Sequence, residues 1–363
     1  MKVVLLEWIS GSGCYCENHT QNPMQELLDE AWEMAASLAK FFVEAGHETQ
    51  FVLEESIASA RAAALLEASD VGQTITIETT PYLQELQSTT NLQSVLDTWR
   101  SIARQNDLAV VIAPELDGIL ESCIGWLNEN GIRTWNCFSD FLSAACDKWK
   151  FAEMLEATSF PDGGESRIAP QALQQTGTLL HPPTHLHSDL TPEWLQFCRA
   201  HFASQEFVIK PRFGVGCLDL YVTDSPECFT VSSSEEFIVQ PLVDGPSFGC
   251  NAIVRPNEEW CWISQTRQVL HESSVTLAEY AQAHRTLEYS RSEPADMPIS
   301  QQSLRAFEQA LGFGALGWIG TDWVRDADGR CWLIECNARC TSSVVALQPQ
   351  AQARLIDFLS KLA

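Results

Sequence analysis

The run Leu108 to Ala113 (LAVVIA), closed by Pro114-Glu115, is apolar at every position. A strand with one wet face alternates apolar and polar residues. An unbroken run suits a strand covered on both faces, as in a parallel sheet between helical layers. The neighbouring segments agree with that reading. Lys2 to Leu6, Thr49 to Leu53 and Ile132 to Trp135 read as short strands. Glu26 to Ala45, rich in Leu, Ala, Met and Glu, reads as a helix stopped at Gly46, and Cys123 to Asn130 as part of a second. Residues 1–145 are therefore expected to form a Rossmann-like α/β layer domain. Gly11-Ser12-Gly13 looks like part of a dinucleotide loop. Position 16 is Cys where the third glycine is required, so no dinucleotide cofactor is expected.

The texture changes after residue 146. Asp147-Lys148 opens a helix through Leu155, and residues 158–193 are crowded with Pro, Gly, Ser, Thr and His, reading as a loop or insertion. Beyond Glu206 the chain is strand-rich. Phe207 to Lys210, Phe237 to Gln240, Asn251 to Arg255, Trp260 to Ser264, Ile319 to Arg325 and Cys331 to Glu335 read as strands, and 301–311 and 349–361 as helices. An α+β organisation follows, expected to divide at 146–240 and 241–363.

Gly317 to Ser343 (GWIGTDWVRDADGRCWLIECNARCTSS) carries the clearest chemistry. Asp326-Ala327-Asp328-Gly329 between two apolar runs reads as a hairpin turn. A turn centred between Ala327 and Asp328 puts Asp322 opposite Leu333. Glu335 and Asn337 then continue along the same face, because side-chain direction repeats every two residues. Two carboxylates and an amide oxygen suit magnesium, which takes hard oxygen ligands and substrate phosphates. A solvated acidic rim is the alternative. Against it, carboxylates inside apolar strands are costly unless paired or metal-bound.

Two further pieces are weak singly. In Phe207 to Gly216 (FVIKPRFGVG) an apolar strand ends in Lys210, and Gly214 and Gly216 mark a loop whose backbone could approach phosphates. It lacks the GxxxxGK[ST] spacing of a Walker loop. In Phe237 to Gly245 a strand runs through Gln240 into a bend at Pro241. Glu7 and Glu115 each follow an apolar strand at its C-terminal end, where α/β sheets bind ligands, and either could hold an amine. His181, His185 and His187 form HxxxHxH, but in a Pro-rich stretch with no fourth ligand in view, so a solvated loop is expected rather than zinc.

Taken in order, Asp147-Lys148, Lys210 with its glycines, Gln240-Pro241, Asp322 and Glu335-x-Asn337-x-Arg339 resemble the ATP-grasp superfamily over roughly residues 140–350. Ile112 to Glu115, Thr266-Arg267-Gln268 and the 322–343 block extend the likeness, within that superfamily, toward the tyramine–glutamate ligases of methanofuran biosynthesis. The resemblance implies a pre-ATP-grasp domain followed by a two-subdomain ATP-grasp fold. ATP would lie between the subdomains, with the Gly214–Gly216 loop closing over it. Lys148 and Lys210 would meet the phosphates, and Gln240 would meet the adenine amino group, where many members carry Glu. The backbone of Pro241 and Val243 would meet the adenine edge. Asp322, Glu335 and Asn337 would hold magnesium, or manganese in its place. Arg267 and Arg339 would face the γ-phosphate and an acyl phosphate. In the D-alanine ligase branch an arginine stands two residues before the metal aspartate; here that position is Gly320.

The expected activity is ATP-dependent joining of a carboxylate to an amine, such as glutamate to tyramine. A kinase-like phosphotransferase and a non-catalytic nucleotide-binding regulator are the alternatives. A net charge of −26 argues against nucleic acid or anionic membrane as partner. Small-molecule substrates are expected, and a homo-oligomer is compatible with them. No apolar stretch is long enough to span a membrane. The opening apolar run meets Glu7 too soon for a signal peptide, and the thirteen cysteines lack paired zinc spacing. They are expected as reduced, buried residues of a cytoplasmic protein, with none acting as a nucleophile.

Overall fold

A computed structural model of the chain describes residues 1–11, 23–54, 57–58, 75–80, 90–159, 179–214, 219–230, 236–256, 259–276, 283–294, 299–311 and 314–362. The first layer is a parallel sheet of β1 (Lys2–Glu7), β2 (Glu48–Glu54), β3 (Ile75–Thr80) and β4 (Leu108–Ile112), in the order β3-β2-β1-β4. Every residue of β4 is buried, as its unbroken apolar run predicts. On β1, Val4 and Leu6 enter one hydrophobic core while Val3 and Leu5 enter another, so both faces of the sheet are covered. Helices α1 (Pro23–Glu44), α2 (Thr90–Ala103) and α3 (Ile119–Glu129) provide that cover. Gly46 ends α1 at φ +90°, a conformation that disfavours a Cβ. The amide of His47 donates back to the Phe42 carbonyl at 3.0 Å.

The rest of the chain builds one nine-stranded sheet flanked by helices. Its strands are β5 (His185–Leu186), β6 (Phe207–Pro211), β7 (Tyr221–Thr223), β8 (Phe237–Pro241), β9 (Ser247–Val254), β10 (Trp260–Thr276), β11 (Ala283–Pro294), β12 (Gly317–Arg325) and β13 (Cys331–Asn337). They run β13-β12-β9-β10-β11-β7-β6-β8-β5, antiparallel at each pairing. Helices α4 (Ser139–Ala145), α5 (Lys148–Ser159), α6 (Pro192–His201), α7 (Gln301–Leu311) and α8 (Pro349–Leu359) complete the described α-helices. The sheet narrows in the middle, where β11 meets β7 through two residue pairs, Arg285 with Val222 and Thr286 with Tyr221.

Packing divides the chain differently from its linear order. Trp194, Leu195, Cys198, Phe207, Ile209, Phe229, Phe237 and Val239 form a separate core beneath β6 and β8. The two cores of the parallel sheet extend into β9 and β12, through Phe248, Cys250 and Ile319 on one side and Ile253 and Trp318 on the other. The first layer and the last third of the chain therefore share cores. The expected division at 240/241 falls inside β8.

Several elements differ from expectation. Part of the presumed insertion is ordered. Residues 160–178 lie outside the described residues, but 180–186 link the two edges of the sheet: Leu180 bridges Trp332 on β13, and His185 and Leu186 pair with Val239 and Ile238 on β8. α6 begins at a capped start: the Thr191 hydroxyl accepts from the Trp194 amide at 3.2 Å, and Pro192 occupies the first turn. β10 continues to Thr276, well past Ser264. Gln268 and Glu272 border the cleft while Arg267, His271 and Ser273 are exposed, so this part of the strand gives no apolar period to read.

The β12–β13 register also differs. The turn spans Asp326 to Arg330, closed by the Asp326 amide on the Arg330 carbonyl at 3.0 Å and by Gly329 at φ +78°. Trp323 therefore pairs with Leu333. A bulge then shifts the ladder so that Asp322 pairs with Glu335, not with Leu333.

Candidate nucleotide and metal site

The sheet curls so that its two halves face each other across a cleft of about 640 Å³, within the usual range of ligand sites. Lys210 lies near the end of β6, with five strands between it and β13 in the sheet, yet its Nζ lies 3.5 Å from Oε2 of Glu335. Lys148, in the first turn of α5, places its Nζ 3.3 Å from Oε1 of the same carboxylate. Lys148 also donates to the Gly214 carbonyl at 2.7 Å. Gly216 lies outside the described residues.

A clamp positions Lys148. Asp147 accepts from the amides of Trp149 and Lys150 at 3.0 and 3.2 Å, capping α5. Arg212, just past β6, donates to both Asp147 oxygens at 2.8 and 2.7 Å and to Glu236. These hydrogen bonds push the Arg212 pKa above its ordinary value. One Arg–carboxylate fork thus ties the first lysine's helix to the second lysine's strand.

Asp322, Glu335 and Asn337 converge as oxygen-bearing neighbours. Asn337 Nδ2 donates to Oδ2 of Asp322 at 3.2 Å, and Gln268 Nε2 donates to Oδ1 at 2.6 Å. Burial, then the charge of Glu335, push the Asp322 pKa up to about 6. Burial pushes Glu335 upward too, but Lys148 and Lys210 outweigh it and hold its carboxyl below the ordinary value. Hard oxygen donors held face to face, with one carboxylate under like-charge strain, fit a divalent cation such as magnesium.

At the other end of the cleft Gln240, 3% exposed, donates through Nε2 to the Thr184 hydroxyl at 2.8 Å. Pro241 and Val243 also line the cleft, and the intervening Leu242 amide donates to the Glu206 carbonyl at 2.9 Å.

Arg339 lines the cleft as well and donates through Nε to Glu115 at 2.9 Å. Burial lowers its pKa, but the Glu115 charge prevails and raises it. Oε1 of Glu115 is buried without a partner among the described residues. Behind Arg339, Thr341 and Ser343 hydrogen-bond to the fully buried Asn251 at 3.0 and 2.6 Å, and Trp318 Nε1 donates to the same side chain at 2.8 Å. This network seats the segment after β13 against the cleft.

Other expected positions are not brought together. Arg267 is exposed on β10 and absent from the cleft lining, whereas its neighbour Gln268 points in and reaches Asp322. Period-two alternation separates them. Glu7 is buried, but its carboxylate accepts from the Ile9 amide, the Ser10 amide and the Ser10 hydroxyl at 3.0, 2.6 and 2.6 Å. It holds its own loop and is not among the cleft-lining residues. His181, His185 and His187 bind separate carbonyls, of Leu333, Leu186 and Pro226, and form no metal group among the described residues. The described cysteines are free, and burial pushes Cys123, Cys137 and Cys198 up to about 12, leaving little thiolate. Gly320 has no room for a side chain: a Cβ there would stand 2.4 Å from Cγ2 of Thr341. No described helix is long and apolar enough to cross a membrane.

Gln268, Thr184 and His181 carry roles that sequence patterns did not suggest. Gln268 belongs to the Thr266-Arg267-Gln268 motif, whose charged member is Arg267. Thr184 and His181 lay in a stretch with no periodicity.

Comparison with known families places this architecture. A pre-ATP-grasp 3 domain model matches residues 78–140, and an ATP-grasp domain model matches residues 145–343. No curated protein matches the chain in sequence. Among solved structures, an ATP-grasp superfamily protein from Archaeoglobus fulgidus superposes with TM-score 0.55 at 18% identity, over 99% of this chain and 87% of that one. The D-alanine–D-alanine ligase from Bacillus anthracis gives 0.53 at 13% identity, over 99% and 96%. The VanG D-Ala:D-Ser ligase from Enterococcus faecalis gives 0.55 at 12%, over 99% and 98%. At these identities the likeness is one of fold. The ATP-grasp match spans more than half of the chain, and the chain belongs to the ATP-grasp family of ATP-dependent enzymes.

Proposed function

We propose that this protein is a carboxylate–amine ligase acting through an acyl phosphate, with glutamate and an amine such as tyramine as its substrate classes. The observation that carries the reading is the meeting of Lys148 and Lys210 on Glu335, beside Asp322 and Asn337. Paired cations beside oxygen ligands answer the charge of a triphosphate and of the phosphoryl group in transit. The fold neighbours named as D-Ala–D-Ala and D-Ala:D-Ser ligases agree with ligation.

In this reading Asp322, Glu335 and Asn337 hold magnesium, which would supply neutralisation of phosphate charge. Lys148 and Lys210 exchange their contact with Glu335 for phosphate oxygens. A substrate carboxylate oxygen attacks the γ-phosphorus, ADP leaves, and the carboxylate becomes a mixed anhydride with a good leaving group. The amine nitrogen then attacks the acyl carbon, phosphate departs, and the nitrogen loses a proton. Arg339, held by Glu115, faces the acyl phosphate.

The test is ADP release with MgATP, glutamate and a panel of amines including tyramine, beside Glu335→Ala. Amine-dependent ADP release with a new amide by mass spectrometry, lost in the variant, is expected. ADP release that needs no amine would replace ligation by phosphotransfer. ATP binding without ADP release under any mixture would count against catalysis with these substrates.

A further inference from the structure

Gln240 is among the residues lining the cleft, and its side-chain amide has two chemically opposite ends: an oxygen that accepts and an NH2 that donates. Which end faces the ligand decides which purine the site can read. A 6-amino purine presents a donor at that edge, and a 6-oxo purine presents an acceptor. A glutamine free to flip would tolerate both.

The structure removes that freedom through two residues behind Gln240. His181 Nδ1 lies 2.7 Å from the Leu333 carbonyl, which can only accept, so Nδ1 carries the hydrogen. In the neutral ring Nε2 is then an acceptor, and it stands 3.2 Å from the Thr184 hydroxyl. The Pro182 carbonyl, at 3.1 Å, is a second acceptor for the same hydroxyl hydrogen. Both routes lead the Thr184 proton away from Gln240. The threonine oxygen can then only accept from Gln240, which must offer its NH2, at 2.8 Å. Oε1 is left for the cleft. Thr184 is 4% exposed, so water does not easily substitute for the hydroxyl. Burial holds His181 at about 4, which keeps the ring neutral near pH 7. The carbonyl that starts the chain belongs to Leu333 on β13, two residues before Glu335.

We propose that Thr184 and His181 act as positioning residues that lock the Gln240 amide with its oxygen toward the base, making this site selective for 6-amino over 6-oxo purine nucleotides. The inference rests on the reading of the cleft as a nucleotide site, and its test separates the two. The full chain is titrated with MgATP and with MgITP, whose base carries a 6-oxo group. ATP is expected to bind at least about tenfold more tightly, since a site built around one hydrogen bond rejects a ligand that leaves it unpaired. Thr184→Val keeps the shape and removes the hydroxyl, and the ATP-to-ITP ratio is expected to fall to about threefold or less. Thr184→Ser is expected to restore it. The ratio cancels general loss of affinity, which a purely structural role would produce for both nucleotides alike. Equal binding of ATP and ITP by the unaltered chain, or a full preference surviving in Thr184→Val, would overturn the proposal and leave the nucleotide site standing. Binding of neither nucleotide would overturn both.

Discussion

Asp322 and Glu335 face each other as a directly paired couple on β12 and β13, and the bulge between Asp322 and Trp323 puts them there. Without that shift Asp322 would lie opposite an apolar residue. With it, two carboxylates share one spot, and two lysines from distant elements balance one of them. Glu335→Ala is expected to lower ADP release by at least about a hundredfold and to raise the magnesium concentration needed for half activity. Chelation of divalent cations should abolish turnover of the unaltered chain. Turnover of Glu335→Ala within tenfold of the parent would remove the metal reading.

Gln268 reaches Asp322 while Arg267 points to solvent. Gln268→Ala is expected to reduce turnover by about 10- to 100-fold, by releasing one of the two hydrogen bonds on the Asp322 carboxylate, the proposed metal ligand. Arg267→Ala should stay within about threefold. Steady-state kinetics of the pair decides it. The opposite ranking would mean that β10 rearranges when substrates bind.

The Asp147–Arg212 fork joins the start of α5 to the end of β6. Asp147 is almost wholly buried, so removing Arg212 leaves a charge in a poor medium. Arg212→Ala is expected to cost about 2–4 kcal/mol in denaturant unfolding, with loss of turnover through displaced Lys148. Arg212→Lys should recover only part, because a lysine cannot make both contacts of the fork.

Gly320 abuts Thr341, whose hydroxyl is held by Asn251 and Ser343. Gly320→Ala is expected to destabilise by about 1–3 kcal/mol through overpacking. It should also disturb the segment after β13 that lines the cleft. Denaturant midpoints and KM for ATP report the two effects separately.

His181 has its pKa lowered from 6.5 to about 4 by burial, against the pull of the Leu333 carbonyl and with some help from the Lys210 charge. The unfolded chain therefore takes up a proton that the native ring refuses. This contribution to stability is fully present above about pH 6.5 and is lost as pH falls toward 4. The residue is half-buried, so the loss is on the order of 1–2 kcal/mol. Unfolding free energies at pH 7 and 4.5 should differ less in His181→Gln than in the parent chain. Identical pH slopes would show that His181 charges freely in the native state.

Much of this protein was legible in its sequence. The apolar run of Leu108 to Ala113 sufficed to predict a covered parallel sheet, because burial on both faces leaves no polar alternation. Asp322 and Glu335 pointed to a metal, because carboxylates inside apolar strands need a partner, and the order of Lys148, Lys210, Asp322 and Glu335-x-Asn337 pointed to phosphate through its resemblance to the ATP-grasp superfamily. The gaps have local causes. The second half of β10 carries polar residues on both faces and so shows no alternation, and the start of α6 at Thr191-Pro192 closes a Pro-, Ser- and Thr-rich stretch that reads as loop.

Tertiary structure alone decided the rest. The turn closing at Gly329 and the bulge after it set which residue opposes Asp322, and a one-residue change of register cannot be read from composition. The curl of the sheet brought Lys210 to Glu335 across five intervening strands, and alternation along β10 chose Gln268 over Arg267. Hydrophobic pattern reports which side of an element is buried. It is silent on which distant polar groups meet, because those meetings depend on strand pairing and sheet curvature summed over the whole chain.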